Sequence, residues 1–356
     1  MSCTDPLLLE VTRRVLREAA DPQARGRSAA DRRGAAWRAL EDNGLTRAWI
    51  AESAGGSGAS VADGFAIATL AGEFALDVPL AETLLAGWVL AAAGLAVPAG
   101  PIAPVVEAGI EFDDGGRLRG RAVAVPFARE AERLAVMGRR RGGAAFVALV
   151  DRAACAVEAR DNLAGEPRDT VTVDGVAPVA LAEAGGALGA RAWSMGAVVR
   201  ACQKAGALRA ILGRSVVHAG ERVAFDRPIG KFQAIQHALA RLAGEAAIAL
   251  AASGSAADAL AETDGVADAG GDGEGVFLEV AAAKIRVGEA AAAGAAIAHQ
   301  VHGAIGFSTE HALHLYTRRL WAWRDDFGSE TVWAVQLGRR VAASGADALW
   351  PMVAAR

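Results

Sequence analysis

Residues 221–240 join two long helical patterns at a sharp corner, and this junction constrains the fold more than any other stretch of the chain. The first pattern begins near Ala187, and the second leaves from Lys231. The turn between them, from Asp226 to Gly230, contains Pro228, which cannot donate a backbone hydrogen bond and so favours an end to the first helix. The sequence therefore predicts that two helices meet at a basic, aromatic corner.

The side chains at this corner suit a flat ligand that carries phosphate. Arg222 is predicted to lie in the last turn of the first helix, Phe225 and Phe232 offer flat apolar surfaces, and the Gln233 amide both donates and accepts hydrogen bonds. The alternative is an ordinary connection between two helices, with Arg222 acting as a capping residue.

Composition predicts a mainly helical chain with a sizeable core. The 356 residues exceed what one hydrophobic core usually supports, so two or three domains are expected. Alanine is abundant and aromatic residues make up 5%, which favours closely packed helices. The formal net charge of −4 gives no reason to expect a nucleic-acid partner.

The cysteine and histidine patterns predict no metal site and a cytoplasmic location. The three cysteines lie far apart, which is typical of reduced thiols. The six histidines fall between His218 and His314 without the short spacing of metal ligands. The uncharged stretch between Glu82 and Glu107 is broken by glycines and prolines, so it predicts a buried helix and a linker, with no membrane span.

Three regions follow one another along the chain. Residues 1–97 carry four helical patterns, residues 98–180 carry short alternating runs typical of a small β domain, and residues 181–356 return to helix. The predicted strand runs are Arg119–Val125, Ala144–Val150, Ala154–Glu158 and Thr170–Val173. Arginines 139–141 beside two glycines are interpreted as a solvated hairpin turn, with an anion site as the alternative.

Residues 221–240 closely resemble the arginine, phenylalanine, proline and phenylalanine-glutamine-alanine signature of acyl-CoA dehydrogenases. The loop His299–Phe307 resembles the family's glutamine-glycine-glycine loop, and Ser308–Glu310 reads as the start of the next helix. The resemblance implies the family's fold, mainly α with a small central β domain, comprising an N-terminal helical bundle, the β domain and a C-terminal four-helix bundle. It also implies FAD as cofactor and α,β-desaturation of an acyl-CoA substrate. The residues implied to bind the cofactor are Arg222, Phe225, Gln233, Gln300, Gly303 and Gly306.

The catalytic base is where the sequence departs from the family. Counting forward from Gly306 places Phe327 where the resemblance implies the glutamate base, and counting back from Arg222 places the family's other base position near Gly196. Asp326 and Glu330 flank the first position and are weak candidates for the base, with a surface or capping role as the alternative. The central region also lacks the family's flavin-ring segment.

These features predict a subunit that completes a partner's FAD site within an oligomer containing another chain of the same family, with an electron-transfer acceptor as a further partner. One alternative is a self-sufficient homomeric enzyme with a displaced acidic base. Another is a non-catalytic helical scaffold. Cations between residues 184 and 220 predict either a positive field for phosphates or a solvated helix face. These cations are Arg191, Arg200, Lys204, Arg209 and Arg214.

Overall fold

A computed structural model describes residues 4–19, 29–106, 109–113, 115–140, 143–263 and 274–354. Its first four helices cover the four predicted helical patterns. The start of the third helix is fixed by a capping box, in which the Ser60 hydroxyl accepts a hydrogen bond from the Asp63 backbone and the Asp63 carboxylate accepts one from the Ser60 backbone. The helices are α1 (Pro6–Ala19), α2 (Ala29–Asp42), α3 (Val61–Glu73) and α4 (Leu80–Ala92).

Helix α4 confirms the predicted buried helix. Its residues from Leu80 to Leu90 are all buried, which explains an apolar run without the alternating polar face of a surface helix. None of the helices in the described ranges combines the length and apolar character needed to cross a bilayer. The glycine-rich stretch that ends at Gly58 is a short connection containing a single 3₁₀ turn, Glu52–Ala54.

A mixed sheet of eight strands follows the first helices. Its strands pair in the order β6-β7-β3-β2-β4-β5-β8, and β1 lies parallel to β4 off this path. The four predicted strand runs all lie in or overlap strands of this sheet, whereas Arg141 and Gly142 lie outside the described residues. The strands are β1 (Ile102–Val105), β2 (Gly109–Phe112), β3 (Leu118–Pro126), β4 (Arg133–Arg140), β5 (Ala145–Asp151), β6 (Ala156–Glu158), β7 (Arg168–Val176) and β8 (Ala180–Glu183).

Long helices form most of the remaining chain and confirm the predicted fold class. Helices α5, α6, α7 and α9 pack together as the C-terminal bundle. A short β-hairpin made of two strands, β9 (Val223–Ala224) and β10 (Arg227–Pro228), lies between α5 and α6 in the chain. The helices are α5 (Leu188–Glu221), α6 (Gln233–Glu262), α7 (Glu274–His302), α8 (Leu313–Ala322), α9 (Glu330–Ser344) and α10 (Ala346–Ala354).

The N-terminal and C-terminal helices share one hydrophobic core. Helices α3 and α5 approach so closely that a Cβ atom on Gly206 would lie 1.9 Å from the Thr69 carbonyl oxygen, and one on Gly72 would lie 1.9 Å from the Gln203 carbonyl oxygen. Only glycine permits this backbone contact. A second hydrophobic cluster, which includes Phe146 and Val171, is formed mainly by residues of the sheet. The boundaries at residues 97 and 180 stay predictions.

Candidate functional site

The predicted corner is a β-hairpin that projects from the end of α5. Arg222 follows the helix in an extended conformation, and its carbonyl oxygen accepts a hydrogen bond from the Ile229 backbone at 2.8 Å. Its side chain is exposed, and so is that of Gln233, the first residue of α6. The Gln236 amide donates to the Gly230 carbonyl oxygen at 3.0 Å and ties the turn to α6. Arg222 and Gln233 are thus exposed on either side of the hairpin, at the end of α5 and the start of α6.

Phe225 forms the tip of the hairpin in a strained conformation. Its φ of 52° and the φ of 60° at Asp226 lie in the left-handed region, where glycine and asparagine are the usual residues of a two-residue hairpin turn. A bulky residue there costs free energy and points to a functional constraint. The Phe225 ring is 89% exposed, so the strain is not offset by burial within this chain.

The loop after α7 lies at the same end of the bundle as the hairpin. The rings of His218, one turn before Arg222, and His302, the last residue of α7, stack with centroids 4.5 Å apart. Gln300 is exposed in the last turn of α7, and Gly303 has a φ of 63° with open space where a Cβ atom would lie, since no atom comes within 4 Å of that point. The end of α5 that leads into the hairpin therefore packs against the end of α7, and the loop after α7 has accessible backbone at Gly303.

Gly306, near the end of this loop, is buried and tightly packed, unlike the exposed Gly303. A Cβ atom there would lie 2.9 Å from the His302 Cβ and 3.2 Å from Leu313. The stretch predicted to start the next helix at Ser308–Glu310 is a turn, and α8 begins only at Leu313. That prediction was wrong because the Ser308 hydroxyl accepts a hydrogen bond from the Glu310 backbone in a local turn instead of capping a helix.

The two positions that sequence counting gave for a base contact each other, with Gly196 buried and Phe327 partly buried. A Cβ atom on Gly196 of α5 would lie only 2.3–2.5 Å from carbon atoms of the Phe327 ring, so this ring rests directly on the helix backbone. Trp193 packs edge-on against the same ring with centroids 5.6 Å apart. Phe327 has a φ of 55°, and its carbonyl oxygen accepts a hydrogen bond from Trp333 at 2.8 Å. An aromatic ring thus fills the place where either base would have lain.

Asp326 is held by ion pairs that cross between the sheet and the helices. Its Oδ2 accepts hydrogen bonds from Arg168 at 2.6 Å and from Arg200 at 2.8 Å, and Arg200 also binds Glu82 of α4 at 2.7 Å. Although burial alone would raise it, Arg168 and Arg200 lower the pKa of Asp326 to about 2. A carboxylate held in this way is a weak proton acceptor, which disfavours Asp326 as the base.

A second arm of this network binds Glu166. Its Oε1 accepts a hydrogen bond from Arg319 at 2.9 Å, and its Oε2 accepts one from Trp323 at 2.8 Å. Sequence analysis missed these pairs because no local pattern links residues so distant in the chain. The only sequence signal was that charged residues lie within otherwise apolar helical stretches, as Glu82 does in α4.

Glu330 is also buried and paired. It begins α9 after the N-cap Ser329, and both of its carboxylate oxygens accept hydrogen bonds from Arg324 at 2.7–2.8 Å. A Cβ atom on Gly288 would lie 1.8 Å from its Oε1, so Glu330 packs directly on α7. Glu330 is buried and Asp326 is partly buried, and the ion pairs of both disfavour a free surface role and an open, base-like position. The proposed role as base stays a prediction that their contacts disfavour.

Four of the five cations of α5 are buried, paired or hydrogen-bonded and do not form the predicted positive field, whereas the fifth, Arg214, is exposed and donates to the Tyr316 hydroxyl at 3.2 Å. Arg200 is 2% exposed and paired, and Arg209 pairs with Glu73. Lys204 is fully buried, and burial lowers its pKa to about 8. Arg191 donates to Thr263 and to the Leu260 carbonyl oxygen. The prediction fails because sequence spacing gives no information on which cations face the core and which carboxylates approach them.

The arrangement fits only part of an FAD molecule. The exposed Arg222 guanidinium, the Phe225 ring and the open backbone at Gly303 suit phosphates and a flat ring presented from outside the chain. The interior between β7 and α5 is crossed by the Arg168–Asp326–Arg200 ion pairs. These ion pairs link the sheet to the helical bundle at this place.

Helical regions that precede and follow a mixed sheet in the chain define a fold that solved structures share. The chain superposes on the ChsE4-ChsE5 complex from Mycobacterium tuberculosis with a TM-score of 0.81 at 22% identity, covering 95% of this chain and 97% of that one. It also superposes on glutaryl-coenzyme A dehydrogenase with a TM-score of 0.80 at 21% identity, covering 93% and 94%.

Sequence comparison identifies the family. Residues 187–341 match the family described as acyl-CoA dehydrogenase, C-terminal domain. Acyl-CoA dehydrogenase IpdE2 of Mycolicibacterium smegmatis is 26% identical over 289 residues, which is 80% of each chain. Acyl-CoA dehydrogenase FadE34 of Mycobacterium tuberculosis is 34% identical over 145 residues, 40% of this chain and 19% of that protein. These matches support the acyl-CoA dehydrogenase family that the motifs predicted, whose members are FAD-dependent oxidoreductases.

Proposed function

We propose that this chain is the subunit of an acyl-CoA dehydrogenase that completes the FAD site of a partner chain, while the partner supplies the catalytic base. The observation that carries the proposal is the Phe327 ring resting on Gly196. Both base positions of the family coincide there, and neither residue can accept a proton.

The contacts around Phe327 hold its ring against α5, where the family's base positions coincide. Lys284 donates to the carbonyl oxygens of Arg324 at 3.1 Å and of Asp326 at 2.7 Å, and Trp333 donates to that of Phe327. These bonds fix the backbone on both sides of the ring. Phe327 has a strained φ of 55°, and these contacts stabilise that conformation in the folded chain. An acyl thioester has no base to react with in this interior.

The exposed corner supports the other half of the proposal. Arg222, Phe225, Gln233 and Gln300 all lie on the surface, where a neighbouring chain can present the phosphates and adenine of its FAD. When bound at this shared site, FAD would supply the hydride acceptor that desaturation of an acyl-CoA needs. This chain's residues bind and orient the cofactor and hold no proton in the reaction. The ChsE4-ChsE5 complex, which shares the fold, is itself an assembly of two named proteins.

The test is co-expression with an acyl-CoA dehydrogenase chain that carries the glutamate base. We expect flavin absorbance and acyl-CoA-dependent reduction of a dye acceptor from the mixed complex, and neither from this chain alone. Asp326→Asn and Glu330→Gln in this chain are expected to retain turnover once each variant's folding is verified by circular dichroism, whereas replacing the partner's glutamate by glutamine abolishes it.

Other outcomes point to the alternatives. Flavin-dependent turnover by the isolated chain that is lost in Asp326→Asn or Glu330→Gln would establish a self-sufficient enzyme. A complex that keeps its flavin unchanged in Arg222→Ala would favour a scaffold. Either result would overturn the proposal.

A further inference from the structure

The hairpin carries a second arginine on the same face as Arg222. Arg227 pairs with Ala224 across the two strands, and the Ile229–Arg222 hydrogen bond extends the same register by one pair. Directly paired residues share a face of a ladder, and residues two apart on one strand also share a face. Arg222 and Arg227 are therefore diagonal neighbours on one face, with Cβ atoms roughly 7 Å apart.

Arg227 is held in place by an aromatic ring. Its guanidinium lies 4.2 Å from the centroid of the Phe232 ring, which also meets the edge of Phe225 at 6.1 Å. A stacked guanidinium loses fewer conformations when it binds an anion, because its plane is already oriented. Phe232 therefore positions both the second arginine and the exposed tip of the hairpin.

The two arginines lack the counter-charge that the buried arginines have. Within the described residues, neither Arg222 nor Arg227 forms an ion pair, whereas Arg168, Arg200 and Arg319 all do. Both side chains are exposed. Like charges on one face of a ladder are unfavourable unless an anion lies between them.

We propose that Arg227 is a second phosphate-binding residue and that Arg222 and Arg227 together bind the two phosphates of the FAD held by the partner. The inference rests on the proposed function and adds to it a second binding residue, Arg227, and a preference for FAD over FMN. A diphosphate engages both guanidinium groups, whereas a monophosphate engages one. The pair therefore selects FAD over FMN at the shared site.

The test uses the complex with the base-bearing partner, stripped of flavin and titrated with FAD or FMN by flavin fluorescence. Arg227→Ala is expected to weaken FAD binding about tenfold or more, since it removes a charge-assisted hydrogen bond. The same variant is expected to change FMN binding less than threefold. Arg241→Ala, another exposed arginine with no ion pair in the described chain, is the matched control and should change neither affinity.

The positioning role of Phe232 has its own readout. Phe232→Leu removes the aromatic face and is expected to reduce the ratio of FAD to FMN affinity, whereas Phe232→Tyr keeps the face and should retain the ratio. A merely structural role would lower both affinities together and leave the ratio unchanged.

The outcomes separate this inference from the proposed function. If the wild-type complex binds no flavin, the proposed function fails. If it binds FAD but Arg227→Ala binds FAD within twofold of wild type, only the role of Arg227 is overturned. Loss of the complex itself in Arg227→Ala, seen by size-exclusion chromatography, would show that the arginine binds the partner protein and would also overturn the inference.

Discussion

Replacing Arg200 by leucine tests how much the buried ion pairs between the helices and the sheet stabilise the fold. Arg200 is 2% exposed and is the described ion-pair partner of Glu82, which is 5% exposed. Asp326 keeps Arg168 in the variant, but Glu82 becomes a buried carboxylate without a counter-charge. Breaking a buried pair on one side costs about 3–5 kcal/mol, and we expect the free energy of unfolding to fall by that amount.

The assay is urea unfolding of the isolated chain, with melting temperature as a second measure. At roughly 2–3 °C per kcal/mol, the melting temperature of Arg200→Leu should fall by about 6–15 °C. The control is Arg286→Ala, which breaks the half-buried pair with Glu245 and should cost less than about 1 kcal/mol. The double variant Glu82→Leu/Arg200→Leu should recover part of the loss, because no buried charge is left alone.

The reasoning is refuted if Arg200→Leu unfolds within about 1 kcal/mol of Arg286→Ala. That result would mean that water reaches Glu82, so that the space between the sheet and the helices opens in solution. An open space there would also weaken the case against a ligand in this chain's own interior.

Three further changes have defined outcomes. Gly196→Ala should cost about 1–3 kcal/mol in urea unfolding, because its Cβ displaces the Phe327 ring, and adding Phe327→Ala should remove that clash, so the two effects should not add. Burial lowers the pKa of His302 to about 4, so the unfolded chain binds the proton first, and stability should fall by up to about 2 kcal/mol from pH 7 to pH 5; His302→Phe should remove this component. Gly72→Ala should destabilise by more than about 1 kcal/mol because its Cβ meets the α5 backbone, whereas Gly213→Ala, with open space around it, should be neutral or stabilising.

The helices and most strands follow from local patterns in the sequence. The capping residue Ser60 marks the start of α3. The break between the long apolar patterns of α5 and α6 contains Pro228, as its missing backbone donor predicts. The pairing of the strands did not follow, because β1 lies parallel to β4 rather than beside its neighbour in sequence. Register and order depend on contacts between distant segments, which a local pattern does not encode.

The site was predictable as two separate motifs but not as one surface. Sequence spacing identified Arg222 and Gln300, whereas the stacking of His218 on His302, which places the ends of α5 and α7 side by side, depends on how the two helices pack. The same limit applies to the interior. Counting gave Gly196 and Phe327 as alternatives, and only the fold shows that they occupy one place.

The ion pairs around Asp326 join elements from the beginning, middle and end of the chain. Glu82 lies in α4, Arg168 begins β7, and Arg200 lies in α5. Detaching α5 would leave Glu82 of α4 as a buried carboxylate without its described partner, so α4 and α5 are expected to open together. Native-state hydrogen exchange should then report a single shared opening for their amide protons, so these ion pairs would restrict partial unfolding of the chain.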